Sequence, residues 1–259
     1  MAKVFSAKAD RKSLRRRLAD DPNTARTIAL LQEGEIAACR PVYSGSNSVF
    51  LVGLSRNGEE RRAIYKPRRG EAPLWDFPDG TLFQREFAAY LVSQALGWRL
   101  VPPTVIRGGP YGVGVVQLFV RATYGDSYPS LAETHAREFR RIAAFDLLVN
   151  NADRKAGHCL QGEDGRIWGI DHGLTFHEMP KLRTVLWEFA GQRIPDDLLD
   201  DLRGLRRQLE REQPLHGSLS RLLSAREVEA LQERLKTILQ QPAFPSWSGS
   251  YHSIPWPPF

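Results

Sequence analysis

The sequence predicts an α+β protein in which a β-rich amino-terminal part precedes a mostly helical carboxyl-terminal part. Residues 35 to 66 contain three β-like runs separated by polar turns, which is typical of a β-meander. Beyond residue 130, apolar side chains recur at helical spacing in several long segments. The composition, with 42% hydrophobic and 25% charged residues in a chain of 259, is that of a globular protein able to form one large core or two lobes.

Composition and charge restrict the class of protein. No apolar run approaches the length of a membrane span, and the basic amino terminus lacks the apolar segment of a secretory signal, so we expect a cytoplasmic protein. Cys39 and Cys159 match no metal-binding spacing and are expected to be reduced core thiols. The net charge of +6 suits a phosphate-rich ligand, an anionic membrane surface or a nucleic acid.

A nucleic-acid partner is not expected, because the two densest basic clusters, at residues 11 to 17 and 61 to 69, lack interleaved aromatic side chains. A nucleic-acid-binding module supported by charge alone stays open as an alternative.

The elements are predicted as follows. Residues 1 to 25 form a flexible basic terminus, and residues 121 to 129 link the two parts. Strands are expected at 35 to 42, 48 to 55, 60 to 65, 101 to 106 and 113 to 120. Helices are expected at 24 to 34, 82 to 96, 131 to 149, 182 to 189, 196 to 212 and 224 to 240, the last with a capping-box start. Residues 241 to 259 are rich in Pro and aromatic residues and are expected to dock as an extended strap, with a peptide ligand or a disordered tail as alternatives.

Two acids frame a candidate site between residues 145 and 176. A polar run (Asn150, Asn151, Asp153, Arg154) follows the apolar FDLLV, and such a run is costly to bury, so the loop is expected to face a cleft. Turn residues 162 to 165 separate two short strands, and the resulting hairpin brings Asp171 back near Asp153. Two carboxylates so placed suit phosphoryl transfer from a metal nucleotide: one orients the acceptor hydroxyl and accepts its proton, and the other holds the metal. Taken singly, each acid is equally compatible with capping a loop or turn.

A lysine upstream fits the same chemistry. Lys66 ends an apolar strand, where its charge is expected to be paired or to face a ligand, although an edge lysine that points to water is the alternative. One hairpin earlier lies a small polar turn that could offer N–H groups and hydroxyls to phosphates, or could be an ordinary hairpin turn. Its members are Ser44, Gly45, Ser46, Asn47 and Ser48.

Glu86 lies on the predicted helix at 82 to 96 and could hold the Lys66 ammonium toward the phosphates, or could be solvent-exposed. The backbone of Gln117 to Phe119, at the end of a buried strand, is the candidate to bind adenine, with apolar contact from Leu118 and Phe119; a core strand without a ligand is the alternative.

The motifs resemble a known superfamily. NNADRKAGH (150 to 158) followed by IDHGLTF (170 to 176) is similar to the catalytic and metal-binding loops of the phosphatidylinositol 3/4-kinase superfamily. The type II phosphatidylinositol 4-kinases and the HipA-like bacterial kinases are nearest, and AIYKP and residues 85 to 106 match the type II pattern. Along most of its length the chain also resembles an actinobacterial family of short kinase-like proteins.

The resemblance implies a two-lobed atypical kinase that uses ATP with Mg²⁺ or Mn²⁺. The lobes would be residues 26 to 120 and 121 to 240. Lys66 would contact the nucleotide phosphates. Asp153 would act as the base, while Arg154 or Lys155 would hold the acceptor or the transferring phosphoryl group.

For the metal, the resemblance implies Asp171 together with the residue five positions after Asp153. The family has asparagine there, or in some branches an acid, and this chain has His158. Imidazole binds Mn²⁺ more readily than Mg²⁺. His158 is therefore an unusual ligand, or the site takes one metal, or the chain is a nucleotide-binding pseudokinase that acts as a scaffold.

The acceptor is not specified by these motifs. The lipid-kinase resemblance implies a phosphoinositide, whereas HipA-like kinases phosphorylate proteins, so a lipid and a protein hydroxyl are both expected candidates, and a small alcohol stays open. No anchoring helix or Cys-rich acylation site is evident, so any contact with a membrane is expected to be peripheral.

Overall fold

The computed structural model describes residues 22 to 42, 45 to 122, 128 to 247, 249 and 251 to 259. These residues form an α+β fold with a β-rich lobe and a mostly helical lobe, which confirms the predicted fold class. Three sequence predictions fall in whole or in part outside the described residues. They are the flexible basic terminus (residues 1 to 21 of it), Ser44 of the polar turn, and residues 123 to 127 of the linker between the two parts.

The amino-terminal lobe contains a five-stranded antiparallel sheet in the order β1-β2-β3-β5-β4. Its strands are β1 Glu35–Val42, β2 Val49–Arg56, β3 Glu59–Pro67, β4 Thr104–Gly109 and β5 Gly112–Leu118. Asn57 and Gly58, both with positive φ, join β2 to β3, and this dipeptide is the one that a tight hairpin turn favours. Helix α1 (Pro22–Glu33) and helix α2 (Leu82–Ala95) complete the lobe.

The period of two along β3 separates the core from the cleft. Ala63 and Tyr65 are fully buried, and they pack in one cluster with Leu30 and Leu31 of α1. Lys66, the next residue, therefore points to the opposite face of the sheet. Its strand partner is Val115 of β5, so the lysine stands on an inner strand rather than on the edge.

The second lobe is built from helices around a short hairpin. The helices are α3 Tyr128–Leu131, α4 Ala136–Val149, α5 Asp196–Gln208, α6 Pro214–Leu219 and α7 Ala225–Gln240. The hairpin strands are β6 Cys159–Gln161 and β7 Ile167–Gly169. One apolar core extends through these helices and includes the inner face of α2. Helix α7 begins with the predicted capping box, in which Ser224 and Glu227 exchange hydrogen bonds.

Two helix predictions require correction. The helix expected at 131 to 149 is interrupted between Leu131 and Ala136. Residues 182 to 189 are not an α-helix: only Trp187–Phe189 form a short 3-10 turn. The backbone N–H groups of this segment bond elsewhere, since Arg183 donates to Asn151 O and Thr184 to Ser253 O. The α-helix does not form because the N–H groups at the start of the segment bond to the loop after α4 and to the carboxyl-terminal tail.

The described part of the tail runs along the helical lobe, as expected for a docked strap. Phe244 exchanges backbone hydrogen bonds with Gly191 and Gln192, and Pro258 O accepts from the N–H of Ala156 at 2.9 Å. Within the described ranges, no helix combines the length and the apolar character that crossing a membrane requires.

Candidate active site

The loop after α4 and the β6–β7 hairpin bring Asp153 and Asp171 to one cleft between the lobes. Asn150 caps the carboxyl-terminal end of α4 and has φ 54°. Asp171, which follows β7, has φ 58°. Asn and Asp tolerate this left-handed conformation better than most residues, and its use at a cleft is typical of functional loops. Both acids line a cavity of about 200 Å³ together with Lys66 and Glu86. The prediction that a short hairpin brings Asp171 back near Asp153 is therefore confirmed.

Lys66 lies between two carboxylates. Its Nζ donates to Oε1 of Glu86 and, at 2.9 Å, to Oδ1 of Asp171. Glu86 is 2% exposed, and its Oε2 accepts from the backbone N–H of His172 at 3.0 Å. The predicted contact between Lys66 and Glu86 is thus present, and it also joins α2 to the loop that carries Asp171.

The charges in this cluster stabilise one another. Burial lowers the pKa of Lys66, but the carboxylates of Asp171 and Glu86 outweigh burial and hold that pKa above its usual range. The Lys66 ammonium in turn holds the pKa of Asp171 well below its usual range. Burial raises the pKa of Glu86, and Lys66 opposes this rise. Lys66 and Asp171 are therefore charged at neutral pH.

Asp153 has the properties of a base that works near neutrality. Burial raises its pKa to about 6; Lys155 opposes this rise and Asp171 adds to it. Its backbone N–H donates to Oδ1 of Asn151 at 3.0 Å, and Lys155 Nζ lies 3.5 Å from its Oδ2. A carboxyl group with this pKa can accept a proton while being mostly ionised at pH 7.

His158 presents one ring nitrogen to Asp171. Its Nδ1 lies 2.9 Å from Asp153 O and 3.4 Å from the backbone nitrogen of Lys155; the shorter contact, to the carbonyl, favours the proton on Nδ1, and Nε2 lies 3.5 Å from Asp171 Oδ2. Burial lowers the pKa of His158 to about 4, so the ring is neutral and Nε2 has a free lone pair. A carbonyl that fixes the tautomer in this way is the usual support of a metal-binding histidine.

Of the two cations expected to hold the acceptor or the transferring phosphoryl group, Arg154 and Lys155, Arg154 does not line the cleft. Arg154 is fully buried, and its guanidinium makes a bidentate pair with Asp146 at 2.8 and 2.9 Å. It also donates to the backbone oxygen of Ile170 and contacts His172 Nε2. These bonds use the guanidinium to hold the Asp153 and Asp171 loops together, and of the pair Arg154 and Lys155 it is Lys155 that lines the cleft, together with Lys66.

The argument that the polar run could not be buried is corrected for the same reason. Asn150 and Asn151 are buried as well, because each amide finds partners. Asn151 donates to Asp146 Oδ1, and Asn150 donates to the backbone oxygens of His177 and Met179. Asp146 is the sequence signal for this network, since an acid inside an apolar helix end requires a buried partner.

The polar turn before β2 lies over the cleft. Residues 45 to 48 line the same cavity as Lys66, while Ser44 lies outside the described residues. The turn is attached to the connector after β3, since Ser48 N–H donates to Gly70 O and Ala72 N–H to Asn47 Oδ1. Gly70 permits this approach, because a Cβ there would lie 2.6 Å from that of Ser48.

The structure does not support the expected adenine contacts at residues 117 to 119. The backbone N–H groups of Leu118 and Phe119 already donate to Pro103 O and Arg62 O, and the buried Gln117 side chain donates to Thr104. Leu118 and Phe119 line a different cavity, of about 600 Å³. Carbonyl groups on or next to the neighbouring strands accept hydrogen bonds from these N–H groups. The residue pattern of a single strand does not reveal these partners.

Sequence reasoning missed Glu71. Both of its carboxylate oxygens accept from the first N–H groups of α2, at Leu82 and Phe83. An acid at a helix amino terminus stabilises the helix, so Glu71 helps to fix the helix that carries Glu86. It lies eleven residues from the start of the helix, outside any local capping pattern.

No cluster of three or more His, Cys, Asp or Glu side chains suited to a metal is found in the described ranges. Asp171 and His158 are two ligands that would need phosphate oxygens to complete a coordination shell. Cys159 is buried, and burial raises the pKa of its thiol to about 12, as expected for an inert core thiol.

Comparison with known proteins gives two sequence relatives and a fold. No family model matches the sequence. The chain is 28% identical over 204 residues to phosphatidylinositol 4-kinase gamma 4 of Oryza sativa subsp. japonica, covering 64% of this chain and about a third (35%) of that protein. Among solved structures, the Helicobacter pylori proinflammatory kinase CtkA matches with a TM-score of 0.51 over 83% of this chain and 94% of its own, at 14% identity. The match to CtkA shows that this chain has a kinase-like fold.

The remaining relative covers nearly the whole chain. It is Protein Rv2133c of Mycobacterium tuberculosis (strain ATCC 25618 / H37Rv), 41% identical over 267 aligned positions that cover 89% of this chain and 95% of the relative. On this identity and coverage, the chain belongs to the same family as Protein Rv2133c.

Proposed function

We propose that this protein is an ATP-dependent kinase that transfers the γ-phosphoryl group to a hydroxyl. The observation that carries the proposal is Lys66, held between Glu86 and Asp171 on the wall of a cleft that Asp153 also lines. A lysine paired with a helix glutamate, next to a metal-binding acid and a catalytic base, is the arrangement that phosphoryl transfer requires. The kinase-like fold supports the same assignment.

The residues of the cleft fit a metal nucleotide. Mg²⁺ or Mn²⁺ bound with ATP would neutralise charge on the phosphates. Asp171, half exposed at 48%, and the unprotonated Nε2 of His158 would hold the ion. Lys66 would neutralise phosphate charge, and the N–H groups of residues 45 to 47 would cover the phosphates, since the N–H of Ser48 already donates to Gly70 O.

Asp153 would orient the acceptor hydroxyl and take its proton. Lys155, beside it, would hold the acceptor or the transferring group in place of the buried Arg154. Holding these groups in a fixed geometry supplies much of the rate enhancement in phosphoryl transfer.

The acceptor is proposed to be a lipid or a protein hydroxyl. The relative named phosphatidylinositol 4-kinase favours the first, and the fold match to a proinflammatory kinase is compatible with either. The proposal also includes three further expectations. The lobes are residues 26 to 120 and 121 to 240, the protein is cytoplasmic, and it belongs to the short actinobacterial kinase-like family.

The test is transfer of labelled γ-phosphate from ATP with Mg²⁺ or Mn²⁺, in the presence of liposomes, protein extract or neither. Wild type is compared with Asp171→Ala, and Asp200→Ala on the exposed face of α5 is the matched control. We expect metal-dependent transfer in wild type and control and none in Asp171→Ala. Transfer that survives in Asp171→Ala would contradict the metal assignment, and the labelled fraction identifies the acceptor class.

His158 favours one rival, a pseudokinase scaffold that binds nucleotide without transfer. The rival predicts nucleotide binding with every metal and turnover with none. In that case His158→Asn is the first reversion to make, because it restores the residue type that the resembled kinases carry.

A further inference from the structure

Arg85 and Glu86 are consecutive on α2, and their side chains reach different partners. Glu86 contacts Lys66, whereas Arg85 crosses to the helical lobe. Arg85 is 1% exposed. Its Nη1 donates to Thr175 O at 2.8 Å, and its Nη2 pairs with Glu227 Oε1 at 2.5 Å. Its guanidinium also lies over the Phe77 ring, 5.0 Å from the centroid. A cation this deeply buried and fully engaged fixes the position of the helix that bears it.

The loop that carries Asp171 is attached to α2 at two points. Glu86 Oε2 accepts from the N–H of His172, and Arg85 donates to the carbonyl of Thr175. The Thr175 hydroxyl closes the loop by donating to His172 O at 2.7 Å. Movement of the first turns of α2 would therefore separate Glu86 from both Lys66 and the Asp171 loop.

Glu227 is itself held at the start of α7. Its Oε2 accepts from the N–H and the hydroxyl of Ser224, at 2.8 and 3.0 Å, and its Oε1 is left for Arg85. A buried ion pair adds little net stability, but removing one partner leaves an uncompensated charge, so the pair defines a single arrangement of the two elements.

The apolar core also holds the inner face of α2 against the helical lobe, but two other polar contacts near the helix do not replace this anchor. Glu71 caps the amino terminus of α2 but belongs to the connector that follows β3. Trp98 Nε1 donates to Asp201, and Gln208 donates to Ala95 O, so these bonds fix only the carboxyl-terminal end of α2 to α5.

We propose that Arg85 and Glu227 are positioning residues that hold α2 where Glu86 meets Lys66. Their effect on transfer rests on the proposed kinase function, whereas their effect on the Lys66 environment does not. The pair acts through Glu86, and neither of its members lines the cleft that contains Lys66, Asp153 and Asp171.

The experiment measures how fast an amine-reactive reagent modifies Lys66, by peptide mass spectrometry, relative to the exposed Lys236. The variants are Arg85→Met and the double variant Arg85→Met/Glu227→Met, which removes the pair without leaving a buried charge. Gln232→Ala is the matched control, because it removes a hydrogen bond from the same helix α7 to Leu209 O and leaves Arg85, Glu227 and Ser224 in place. Melting temperature is recorded for each.

We expect Lys66 to react several-fold faster in Arg85→Met and in the double variant, because a shift of α2 removes the hydrogen bond to Glu86 and uncovers the mostly buried amine. Gln232→Ala is expected to melt earlier with an unchanged Lys66 rate. If the double variant melts like wild type and its Lys66 reacts at the wild-type rate, the pair is merely structural and the proposal is overturned.

Kinetics separate this proposal from the kinase assignment. In a transferring wild type, Arg85→Met should lower kcat more than it raises the KM for ATP, with partial recovery in Arg85→Lys. Faster Lys66 labelling in the variants, together with no transfer by wild type, would support the anchor and contradict only the kinase function.

Discussion

His158 shows how one hydrogen bond sets the chemistry of a side chain. The carbonyl of Asp153 accepts from Nδ1, so the lone pair on Nε2 points toward Asp171. Burial keeps the ring neutral above about pH 5, since it lowers the pKa to about 4. The residue is thus available as a nitrogen ligand over the whole physiological range.

The metal preference follows from that nitrogen. Wild type is expected to be more active with Mn²⁺ than with Mg²⁺, because Mg²⁺ prefers oxygen ligands. His158→Asn replaces the nitrogen with a carbonyl oxygen and should move the ratio of the Mg²⁺ rate to the Mn²⁺ rate upward by about tenfold, a change of roughly 1.4 kcal/mol. Steady-state rates with each metal measure this ratio. An unchanged ratio would show that His158 does not ligate the metal.

Asp153 predicts the pH dependence. Its pKa is about 6, and the base must be ionised, so kcat/KM should rise with pH through about 6 and be lost below it. Lys155 lowers this pKa, so Lys155→Met should move the inflection to higher pH. Asp153→Asn should lower kcat by about 10² or more and abolish the inflection. A profile that is flat from pH 5 to 8 in wild type would refute the assignment of Asp153 as the base.

At the scale of elements, the buried Arg154–Asp146 pair joins the end of α4 to both loops of the site. Asp146 stands inside an otherwise apolar helix face, and Arg154 reaches it from the loop eight residues later. The carbonyls of His158 and Ile170 accept the remaining donors. The site is therefore rigid because its two loops share one guanidinium.

Removing that guanidinium should destabilise the fold. Arg154→Met leaves the buried Asp146 carboxylate without its counter-charge, with the Asn151 amide as its side-chain partner, and is expected to lower the free energy of unfolding by about 3–5 kcal/mol. Arg137→Met, in an exposed pair with Asp197, is the control and should cost less than about 1 kcal/mol. Urea denaturation measures both. Equal costs for the two variants would contradict the role of the buried pair.

At the scale of the whole molecule, the cleft depends on both lobes. Lys66 comes from the sheet, Glu86 from α2, and Asp171 and Asp153 from the helical lobe. A nucleotide that contacts all of them bridges the lobes and binds only the folded protein.

ATP with Mn²⁺ should therefore raise the melting temperature. At a ligand concentration of about 100 times Kd the gain is about 2.7 kcal/mol, or roughly 5–10 °C for a chain of this size. Asp171→Asn should lose most of this shift, and Asp200→Asn should keep it. Differential scanning fluorimetry measures the shift, and its absence with every metal would contradict nucleotide binding and, with it, both the kinase and the scaffold.

The sequence by itself determined the elements whose signals are local. The Asn57-Gly58 turn, the capping box of α7, the hairpin between the two acids and the period of two that turns Lys66 away from the core follow from residue type and spacing within a few positions. Such signals persist because turn and cap geometry is satisfied by neighbours in the chain.

Only the tertiary structure decided which polar groups were already satisfied. The resemblance proposed Arg154 or Lys155 to hold the acceptor or the transferring phosphoryl group, yet Arg154 is buried against Asp146 and two backbone carbonyls. The backbone of residues 117 to 119 was expected to bind adenine, yet Pro103 and Arg62 accept from the N–H groups of Leu118 and Phe119. Residues 182 to 189 are not an α-helix, because the tail and a loop accept from the N–H groups near the start of this segment. In each case the partner is brought close by the fold rather than by the spacing of the pattern, and a buried polar group bonds to whatever acceptor the fold supplies.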